Sequence, residues 1–477
     1  MQLHYIGNAA QPSASGRTIP VIDPSDGEVF DELQRGTAED IDRAVQAARE
    51  CHETVWSKLS AAERGRLLMR LSAKVGEHAE ELAALEQRDC GKPTKQARAD
   101  ALALVRYFEF YAGACDKLHG DTIPYLDGYS VFTWREPHGV TGHIIPWNYP
   151  MQIFGRSVGG ALAAGNVCVV KPAEDACLSL IRVAELAAQV GFPPGAINIV
   201  TGYGHEVGDA LARHPGIDHI SFTGSPTVGT LIQQVAAERH CPVTLELGGK
   251  SPQILFDDAD LDAAIPMVIN AIVQNAGQTC SAGSRLLVQQ SIYEPLLERL
   301  GQAFTALRVG PAAMDLDVGP LIRASQQQRV WDFLSDAQHA NIPMVAQGVV
   351  VDEAPETGFY QAPTLLRDVP VDHRLAQEEV FGPVLAAMSF RDEDHAVELA
   401  NATQFGLVAG IWTRDGGRQL RMAKRVKSGQ VFINNYGAGG GVELPFGGVK
   451  SSGYGREKGF EALYGFTTLK TVAIRHG

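Results

Sequence analysis

The chain has 477 residues, a formal net charge of −14 and 50 glycines. This length predicts two or three domains, and the acidic balance argues against nucleic acid and anionic membrane surfaces as partners. Seven scattered cysteines, an odd number without a CxxC pair, argue against a disulfide framework or a metal site and favour a reducing compartment. Because the first residues lack a signal-peptide pattern and no uncharged apolar run reaches about 18 residues, we predict a soluble cytoplasmic protein without a membrane span.

The first 120 residues predict an irregular start followed by helices. Ser60-Ala61-Ala62-Glu63 is a capping-box pattern that marks the start of one helix. Apolar residues at helical spacing continue that helix at Leu67, Leu68, Leu71 and Val75. The same spacing predicts an earlier helix at Ile41, Ala44, Val45 and Ala48.

From about residue 140 onward, short apolar runs alternate with helical segments, which predicts a parallel sheet covered by helices. The predicted strands are residues 141–145, 167–170, 197–201, 219–222 and 243–245. Ligands of such sheets bind beyond the carboxyl ends of the strands. We therefore expect one functional site along this edge, built from the residues that follow these strands, namely Asn148, Lys171, Glu174, Gly224, Ser225 and Glu246.

A second alternating region predicts another α/β domain, with strands at residues 285–288, 384–390, 407–412 and 431–433. A glycine-rich segment, residues 437–441, follows it. The tail, residues 467–474, alternates enough to form a strand. That strand adds either to a sheet elsewhere in the chain or to a partner subunit, and the pattern leaves both open.

Cys280 ends the polar loop segment Gly277-Gln278-Thr279-Cys280, and upstream Glu246 is followed at once by two glycines. A cysteine becomes a nucleophile only as the thiolate, and a nearby carboxylate can activate water. Together the two residues suggest covalent capture of an electrophile followed by hydrolysis. The alternative for Cys280 is an inert packed thiol, since most cysteines are of that kind.

Three further motifs each have two interpretations. The strand-to-helix run 222–229 fits phosphate binding at a helix N-terminus, but its Gly-x-x-x-x-Gly spacing equally fits an ordinary tight turn. Lys171 and Glu174 suit the hydroxyls of a ribose or a surface ion pair. Asn148, inside the proline-flanked run 146–150, can donate to an oxyanion or belong to a structural turn.

These motifs, in their order along the chain, resemble those of the aldehyde dehydrogenase superfamily. The motifs most specific for that family are Glu246-Leu247-Gly248-Gly249-Lys250 and Gly277-Gln278-Thr279-Cys280. Pro146-Trp147-Asn148-Tyr149-Pro150 and Glu379-Val380-Phe381-Gly382-Pro383 add to the resemblance. It covers essentially the whole chain, from the early helices to Pro445-Phe446-Gly447-Gly448-Val449-Lys450-Ser451-Ser452-Gly453.

The resemblance implies an α/β, aldehyde dehydrogenase-like fold of three parts. A Rossmann-type parallel-sheet cofactor domain would comprise residues 1–118 and 138–249. A second α/β catalytic domain would comprise residues 250–440. A small β oligomerisation arm would comprise residues 119–137 with 460–477, and the resemblance implies a homodimer or homotetramer.

The resemblance also implies a chemistry for the residues at the predicted site. Cys280 would attack the carbonyl carbon of an aldehyde, while Asn148 and the Cys280 backbone N–H would hold the oxyanion. The thiohemiacetal would deliver hydride to a nicotinamide and leave a thioester, and Glu246 would activate water to release the carboxylic acid. Because an ordinary thiol has a pKa of about 8.5, some local activation of Cys280 is needed.

For the cofactor, the resemblance implies NAD. Glu174 would accept hydrogen bonds from both adenosine ribose hydroxyls and repel a 2′-phosphate, so we predict NAD, with NADP as a poorer alternative. Relatives with this glutamate sometimes use both. The implied cofactor-binding residues are Ile145, Trp147, Lys171, Glu174, Gly224, Ser225, Gly248, Glu379 and Phe381.

At the substrate tunnel, the resemblance places Arg156, Tyr149, Thr279 and Phe446. Arginine at this position occurs in relatives that use carboxylate-bearing semialdehydes and in others that use aromatic aldehydes, and Arg156 can instead pair with a neighbouring carboxylate. Gln274 and Gly441 stand where succinate-semialdehyde relatives carry carboxylate-binding residues. We expect a medium-sized aldehyde with an anionic or aromatic end, and the glycines at 439–441 predict a wider or more flexible entrance.

Two other functions are alternatives to NAD-dependent, hydrolytic aldehyde oxidation. An acyl-transferring dehydrogenase would use coenzyme A, but such relatives commonly lack the glutamate found here as Glu246. A non-catalytic nucleotide-binding structural protein could keep the fold, but it has no evident need for Cys280, Glu246 and Asn148 together.

Overall fold

The structure, a computed structural model, describes residues 1–437 and 441–476. The predicted wide entrance falls in part on residues 439 and 440, which lie outside the described residues. None of the described helices is long and apolar enough to cross a membrane. The α-helices are α1 (Ala38–Thr54), α2 (Ala61–Glu77), α3 (Ala79–Cys90), α4 (Thr94–Ala114), α5 (Pro150–Ala164), α6 (Leu178–Gln189), α7 (Asp209–Arg213), α8 (Pro226–Ala237), α9 (Leu261–Val273), α10 (Tyr293–Ala306), α11 (Ala324–His339), α12 (Arg374–Gln377), α13 (Glu393–Asn401), α14 (Gly416–Arg425) and α15 (Glu461–Gly465).

Eight strands form the first sheet. From β9 to β11 its neighbours are parallel, whereas β1, β2 and β21 pair antiparallel at its edges. Helices α1 and α5 contact β8, which is therefore buried at every residue and apolar over most of its length. The order across the sheet is β2 (Ala9–Gln11), β1 (His4–Ile6), β9 (Ile197–Ile199), β8 (Val167–Pro172), β7 (Val140–Ile145), β10 (His219–Thr223), β11 (Val243–Glu246) and β21 (Gly453–Tyr454).

Seven strands form the second sheet, and all neighbours are parallel except β15 with β17. Each of the two large sheets packs in its own hydrophobic core. These two mainly parallel sheets confirm the predicted α/β class. The order across the second sheet is β15 (Met344–Gln347), β17 (Thr364–Leu366), β18 (Val384–Phe390), β13 (Arg285–Gln289), β12 (Pro252–Leu255), β19 (Val408–Trp412) and β20 (Gln430–Ile433).

Three small sheets complete the β structure of residues 1–437 and 441–476. The largest has the order β22 (Thr467–Arg475), β6 (Tyr129–Pro137) and β5 (Thr122–Ile123), all antiparallel. The predicted tail strand therefore adds to a sheet of this chain. The other two are the antiparallel pair β3 (Thr18–Ile22) with β4 (Val29–Gln34) and the parallel pair β14 (Arg308–Val309) with β16 (Val349–Val350).

The register of the first sheet brings its candidate residues to one edge. Thr223, at the end of β10, lies opposite Glu246, at the end of β11. Lys171, near the end of β8, lies opposite Ile144 of β7. The Gly224 N–H donates to the Glu246 carbonyl oxygen at 3.0 Å, which ties the two strand ends together. The strand ends that carry the candidate residues therefore lie together at one edge of the folded sheet.

The predicted capping box also forms. The Ser60 hydroxyl oxygen accepts from the Glu63 N–H, and the Ser60 N–H donates to the Glu63 carboxylate at 2.8 Å. These bonds satisfy N–H groups that would have no partner within α2, so the helix begins where the sequence predicts.

Candidate active site

Cys280 follows an unusual turn at the end of α9. Asn275 (φ 49°), Ala276 (φ 52°) and Gly277 (φ 73°) are three successive residues in the left-handed region. Only glycine adopts this conformation freely, so Asn275 and Ala276 each cost about 1 kcal/mol. The Asn275 side-chain amide offsets part of this cost because it donates to the Asn148 carbonyl oxygen at 2.9 Å. The turn thus holds Cys280 beside the residues that follow β7.

The glycines of the two family motifs allow the backbones around Cys280 to approach closely. A methyl group at Gly249 would overlap the Cys280 carbonyl oxygen, and one at Gly277 would overlap the Gly382 carbonyl. At Gly248, a methyl group would lie 2.5 Å from Glu379 Oε2. Larger residues at these positions would therefore push apart the segments that carry the candidate site.

Asn148 and Tyr149 fasten the cysteine loop to the start of α5. Asn148 is buried, and its Nδ2 donates to the Gln278 carbonyl oxygen at 2.9 Å. The Tyr149 hydroxyl lies 2.9 Å from Thr279 Oγ1. An amide held in this way is oriented before any substrate arrives, as an oxyanion donor must be.

Two cavities meet at Cys280 and Asn148, which line both of them. The first has a volume of about 520 Å³ and extends along the carboxyl edge of the first sheet past Gly224 and Ser225. The second has a volume of about 320 Å³ and extends past Arg156 toward Phe446. A reactive sulfur at the junction can contact a molecule from each side.

The Cys280 thiol is half-buried. Burial raises its pKa to about 12, and the Arg156 guanidinium acts in the opposite direction. The resting sulfur is therefore a neutral thiol, and forming the nucleophile requires a base or an added positive charge nearby.

Glu246 is buried at the end of β11 and lines the first cavity. Neither carboxylate oxygen has a hydrogen-bond partner among the described residues. Burial, together with the nearby Glu457 carboxylate, raises the pKa of Glu246 well above its usual value. Gly447 lies close, since a methyl group there would be 2.7 Å from Glu246 Oε1. A carboxyl group that is buried without hydrogen-bond partners in this way is suited to general base chemistry near neutral pH.

The first cavity is bounded by the N-terminus of α8, where Gly224, Ser225, Pro226 and Thr227 form part of its wall. Ser225 caps the helix, its hydroxyl oxygen accepting from the Val228 N–H at 3.4 Å. The positive end of the helix dipole and the small residues before it favour a phosphate here. The predicted phosphate-binding turn is thus placed on a cavity wall.

Four more of the predicted cofactor residues line the same cavity: Trp147, Gly248, Glu379 and Phe381. The Glu379 carboxylate accepts from the Gly249 N–H at 3.0 Å, and burial raises its pKa to about 7. Trp147 and Phe381 pack edge to face with ring centres 5.3 Å apart. The Phe381 backbone is left-handed, with φ 60°, and Gln326 Nε2 donates to its carbonyl oxygen at 2.7 Å.

Ile145, Lys171 and Glu174 do not belong to the wall of this cavity. The Lys171 ammonium lies 2.8 Å from the Glu174 carboxylate, and Lys171 itself is buried. The segment after β8 nevertheless reaches the cavity. Asp175, next to Glu174, forms an ion pair at 2.7 Å with Arg323, and Arg323 lines the cavity. The pair Lys171–Glu174 is therefore a partly buried ion pair at the margin of the cavity.

All four predicted substrate residues, Arg156, Tyr149, Thr279 and Phe446, line the second cavity, and Gln274 lines it too. The Arg156 guanidinium stacks 4.8 Å from the centre of the Phe446 ring and forms an ion pair with buried Glu457. The sequence left open whether Arg156 pairs with a neighbouring carboxylate, and the structure shows this pair with Glu457. Arg156 also lines the cavity.

Sequence reasoning missed Glu457 and Lys458. The Glu457 carboxylate accepts from the Ser221 hydroxyl at 2.9 Å, and Lys458 lines the second cavity. Both lie just beyond the last motif used for the resemblance, in a charged run between Gly455 and Gly459 that reads as an exposed loop. The available sequence signal was a charged run between two glycines, and such a run does not reveal burial.

Comparisons with known proteins agree with the family resemblance and with the fold. A family model described as the aldehyde dehydrogenase family matches residues 11–472. The chain belongs to the aldehyde dehydrogenase family. The resemblance predicted from the sequence is therefore confirmed, as is the fold that it implies.

Among relatives in the aldehyde dehydrogenase family, hydroxyisobutyraldehyde dehydrogenase of Mycolicibacterium austroafricanum is 42% identical over 99% of this chain and 93% of that protein. A crystal structure of a Burkholderia cenocepacia protein provisionally assigned as an aldehyde dehydrogenase is 73% identical, with a TM-score of 0.99 over 100% of both chains. An NAD-dependent aldehyde dehydrogenase of Sinorhizobium meliloti is 38% identical, with a TM-score of 0.97 over 100% of this chain and 95% of that one.

Proposed function

We propose that this chain oxidises an aldehyde to its carboxylic acid with NAD, using Cys280 as nucleophile and water as the final acceptor. The observation that carries the proposal is the meeting of two cavities at Cys280 and Asn148. A cofactor in the larger cavity and an aldehyde in the smaller one would approach the same sulfur from two sides. Such an arrangement converts an encounter of separate molecules into a reaction between positioned groups.

The Cys280 thiol passes its proton to solvent and attacks the aldehyde carbon as a thiolate, and the carbonyl oxygen becomes an oxyanion. Asn148 Nδ2 and the Cys280 backbone N–H are the donors for that oxyanion. The Asn148 amide nitrogen has two N–H groups, so one can keep its bond to the Gln278 carbonyl oxygen while the other donates to the oxyanion. Donors oriented in advance typically contribute a factor of about 10²–10³ to the rate.

The larger cavity suits NAD. The α8 N-terminus with Gly224 and Ser225 would hold the pyrophosphate, Glu379 and Phe381 the nicotinamide ribose, and Lys171 with Glu174 the adenosine ribose at the margin. Glycine at 248 allows the Glu379 carboxylate to lie directly against this part of the wall. When bound, the nicotinamide ring accepts the hydride that the substrate carbon loses.

Glu246 then removes a proton from water, which attacks the thioester carbon and releases the acid and the Cys280 thiol. Its carboxylate has no hydrogen-bond partner among the described residues, so it is available to a water molecule. Transfer of the acyl group to coenzyme A would not need a base at this position. The presence of Glu246 therefore supports hydrolysis.

The smaller cavity, at about 320 Å³, suits a medium-sized aldehyde. Tyr149, Thr279 and Phe446 would contact the substrate beside Arg156. For the assembly, we propose a homodimer or homotetramer joined through β6 and β22, whose side chains Trp134, Leu469 and Ile474 are 43–50% exposed in the single chain. The three-part division of the chain and a cytoplasmic location stay our predictions.

The proposed activity is tested by following NADH absorbance with a panel of aldehydes. We expect NADH formation with NAD and an aldehyde alone, a free carboxylic acid as product, and no stimulation by coenzyme A. A product that is a coenzyme A thioester would overturn the hydrolytic mechanism. Absence of NADH with every aldehyde, together with intact NAD binding, would overturn the enzymatic proposal itself.

Glu174 is expected to set the preference for NAD. In the unaltered protein, kcat/KM should be at least about 10-fold higher with NAD than with NADP, because a carboxylate repels the 2′-phosphate. Glu174→Gln removes the charge and should raise the relative kcat/KM for NADP by about 10-fold. Glu185→Gln on α6, a half-exposed position, is the matched control. Comparable kcat/KM values for both cofactors in the unaltered protein would contradict the prediction.

A further inference from the structure

Gln152, on α5, lines the second cavity and also contacts a buried charged cluster that lies outside the cavity lining. Its Nε2 donates to Asp100 Oδ1 at 2.5 Å. Asp100 is buried and forms an ion pair with Lys92, which is buried as well and also pairs with buried Glu86. The proposed mechanism uses none of these four residues.

This cluster fixes the direction in which the Gln152 amide points. In its ion pair with Lys92, Asp100 is a carboxylate, which only accepts hydrogen bonds. The opposite orientation of the amide would set its carbonyl oxygen against the carboxylate, and two acceptors would then face each other without a hydrogen. The NH2 group is therefore held toward Asp100. The carbonyl oxygen, Oε1, receives no hydrogen bond from a described residue and remains available to the cavity.

The lining of the second cavity favours an uncharged group beside Gln152. Asn270 and Gln274 line the same cavity from α9 and the turn after it, and their side-chain amides can donate as well as accept. Among the described residues that line the cavity, none carries a carboxylate, so a cationic aldehyde would find no counter-charge there. The Gln152 acceptor disfavours a carboxylate next to it. A neutral group that carries a hydrogen-bond donor fits all of these neighbours.

The position of Gln152 on its helix indicates where this group would lie. Tyr149 immediately precedes α5, and its hydroxyl lies 2.9 Å from Thr279 Oγ1, beside Cys280. Gln152 follows Tyr149 by three positions, which is about 4.5 Å along a helix. The donor is therefore expected about one helical turn beyond the contact between Tyr149 and Thr279, at the far end of a medium-sized aldehyde.

We propose that the aldehyde carries a hydroxyl group at its far end, and that the carbonyl oxygen of Gln152 accepts a hydrogen bond from this hydroxyl. The proposal rests on the proposed function, since it names the substrate class of that reaction. Asp100 and Lys92 are positioning residues, because they orient the Gln152 amide before the substrate arrives. A hydroxyl can also accept from the amides of Asn270 and Gln274. An alkyl group would leave the Gln152 oxygen without a donor, and binding would be weaker by this loss.

The competing role for Gln152 is purely structural. In that role its amide only supplies a donor to Asp100 and supports the start of α5. Loss of the amide would then slow the oxidation of every aldehyde alike. The ratio of kcat/KM between a hydroxyl-bearing aldehyde and an alkyl aldehyde of the same shape separates the two roles, because a structural effect cancels in this ratio.

The test uses Gln152→Met, which keeps the length of the side chain and removes the acceptor. 4-(Hydroxymethyl)benzaldehyde is paired with 4-ethylbenzaldehyde, and 6-hydroxyhexanal with heptanal. We expect the ratio of kcat/KM, hydroxyl over alkyl, to fall by about 10-fold in this variant. Asp100→Asn, which lets the amide take either orientation, should lower the ratio by a smaller factor. The matched control is Gln46→Met on α1, an exposed glutamine whose Nε2 donates to Asp42 at 2.6 Å, and it should keep the ratio of the unaltered protein.

A binding measurement keeps this inference separate from the proposed function. The ketone 4-(hydroxymethyl)acetophenone should slow the alkylation of Cys280 by iodoacetamide more than 4-ethylacetophenone does, and this difference should disappear in Gln152→Met. Mass spectrometry of the Cys280 peptide measures the rate without NAD or turnover. Equal protection by both ketones in the unaltered protein, or an unchanged kcat/KM ratio for both aldehyde pairs in Gln152→Met, would overturn the hydroxyl site. Aldehydes oxidised well with an unchanged ratio would leave the proposed function intact and remove only this inference.

Discussion

Replacing Cys280 by alanine is expected to lower aldehyde oxidation by about 10⁴-fold or more, because no covalent intermediate can form without the sulfur. NAD binding should persist, since the larger cavity keeps its α8 end and its Glu379 wall. The measurements are steady-state NADH formation and quenching of tryptophan fluorescence by NAD, for which Trp147 on the cavity wall is the reporter.

The control for this variant is Cys241→Ala, another half-buried cysteine that lies outside both cavities. It should oxidise aldehydes at the rate of the unaltered protein. If Cys280→Ala also kept that rate, the chain would not use covalent catalysis at this position, and the proposed mechanism would be wrong.

Glu246→Gln is expected to separate oxidation from hydrolysis. The amide cannot remove a proton from water, so the first turnover should produce NADH at about one equivalent per active site and the thioester should then accumulate. Steady-state turnover should fall by about 10²–10⁴-fold, the usual contribution of a general base. Rapid mixing measures the NADH burst, and intact-protein mass spectrometry measures the acyl group on Cys280.

The pH dependence of the same step follows from burial. Because burial raises the pKa of Glu246 well above its usual value, the carboxylate form that can act as base increases as the pH rises. Hydrolysis by the unaltered protein should therefore accelerate with pH, and Glu246→Gln should lose this dependence. The exposed Glu53→Gln is the matched control. Normal turnover without a burst in Glu246→Gln would assign water activation to another group.

The first sheet and its candidate edge could be predicted because short runs of neighbouring residues determine each strand. Short apolar runs bounded by glycine and polar residues form the buried parallel strands, and the residues after them share an edge once the strands align. Thr223 opposite Glu246 is a direct result of that alignment. The turn at Gly224 and Ser225, for which we predict phosphate binding, follows from the same rule, since helix α8 begins there.

The contacts that shape the site could not be predicted, because they join distant parts of the sequence. Asn148 and Gln278 meet across 130 positions, and the Arg156–Glu457 pair joins α5 to the loop after β21. Whether Lys171 and Glu174 line a cavity or lie at its margin depends on packing that no local pattern encodes. The left-handed turn before Cys280 is likewise imposed by its neighbours, since Asn275 and Ala276 do not favour it.

The last strand of the first sheet, β21, is hydrogen-bonded beside β11 with Gly453 opposite Glu246. The same stretch supplies Phe446 and Lys458 to the wall of the smaller cavity. Residues 446–458 thus connect the strand that carries Glu246 with the wall that would receive the aldehyde, so a disturbance in this one stretch would reach thioester hydrolysis and substrate selection together.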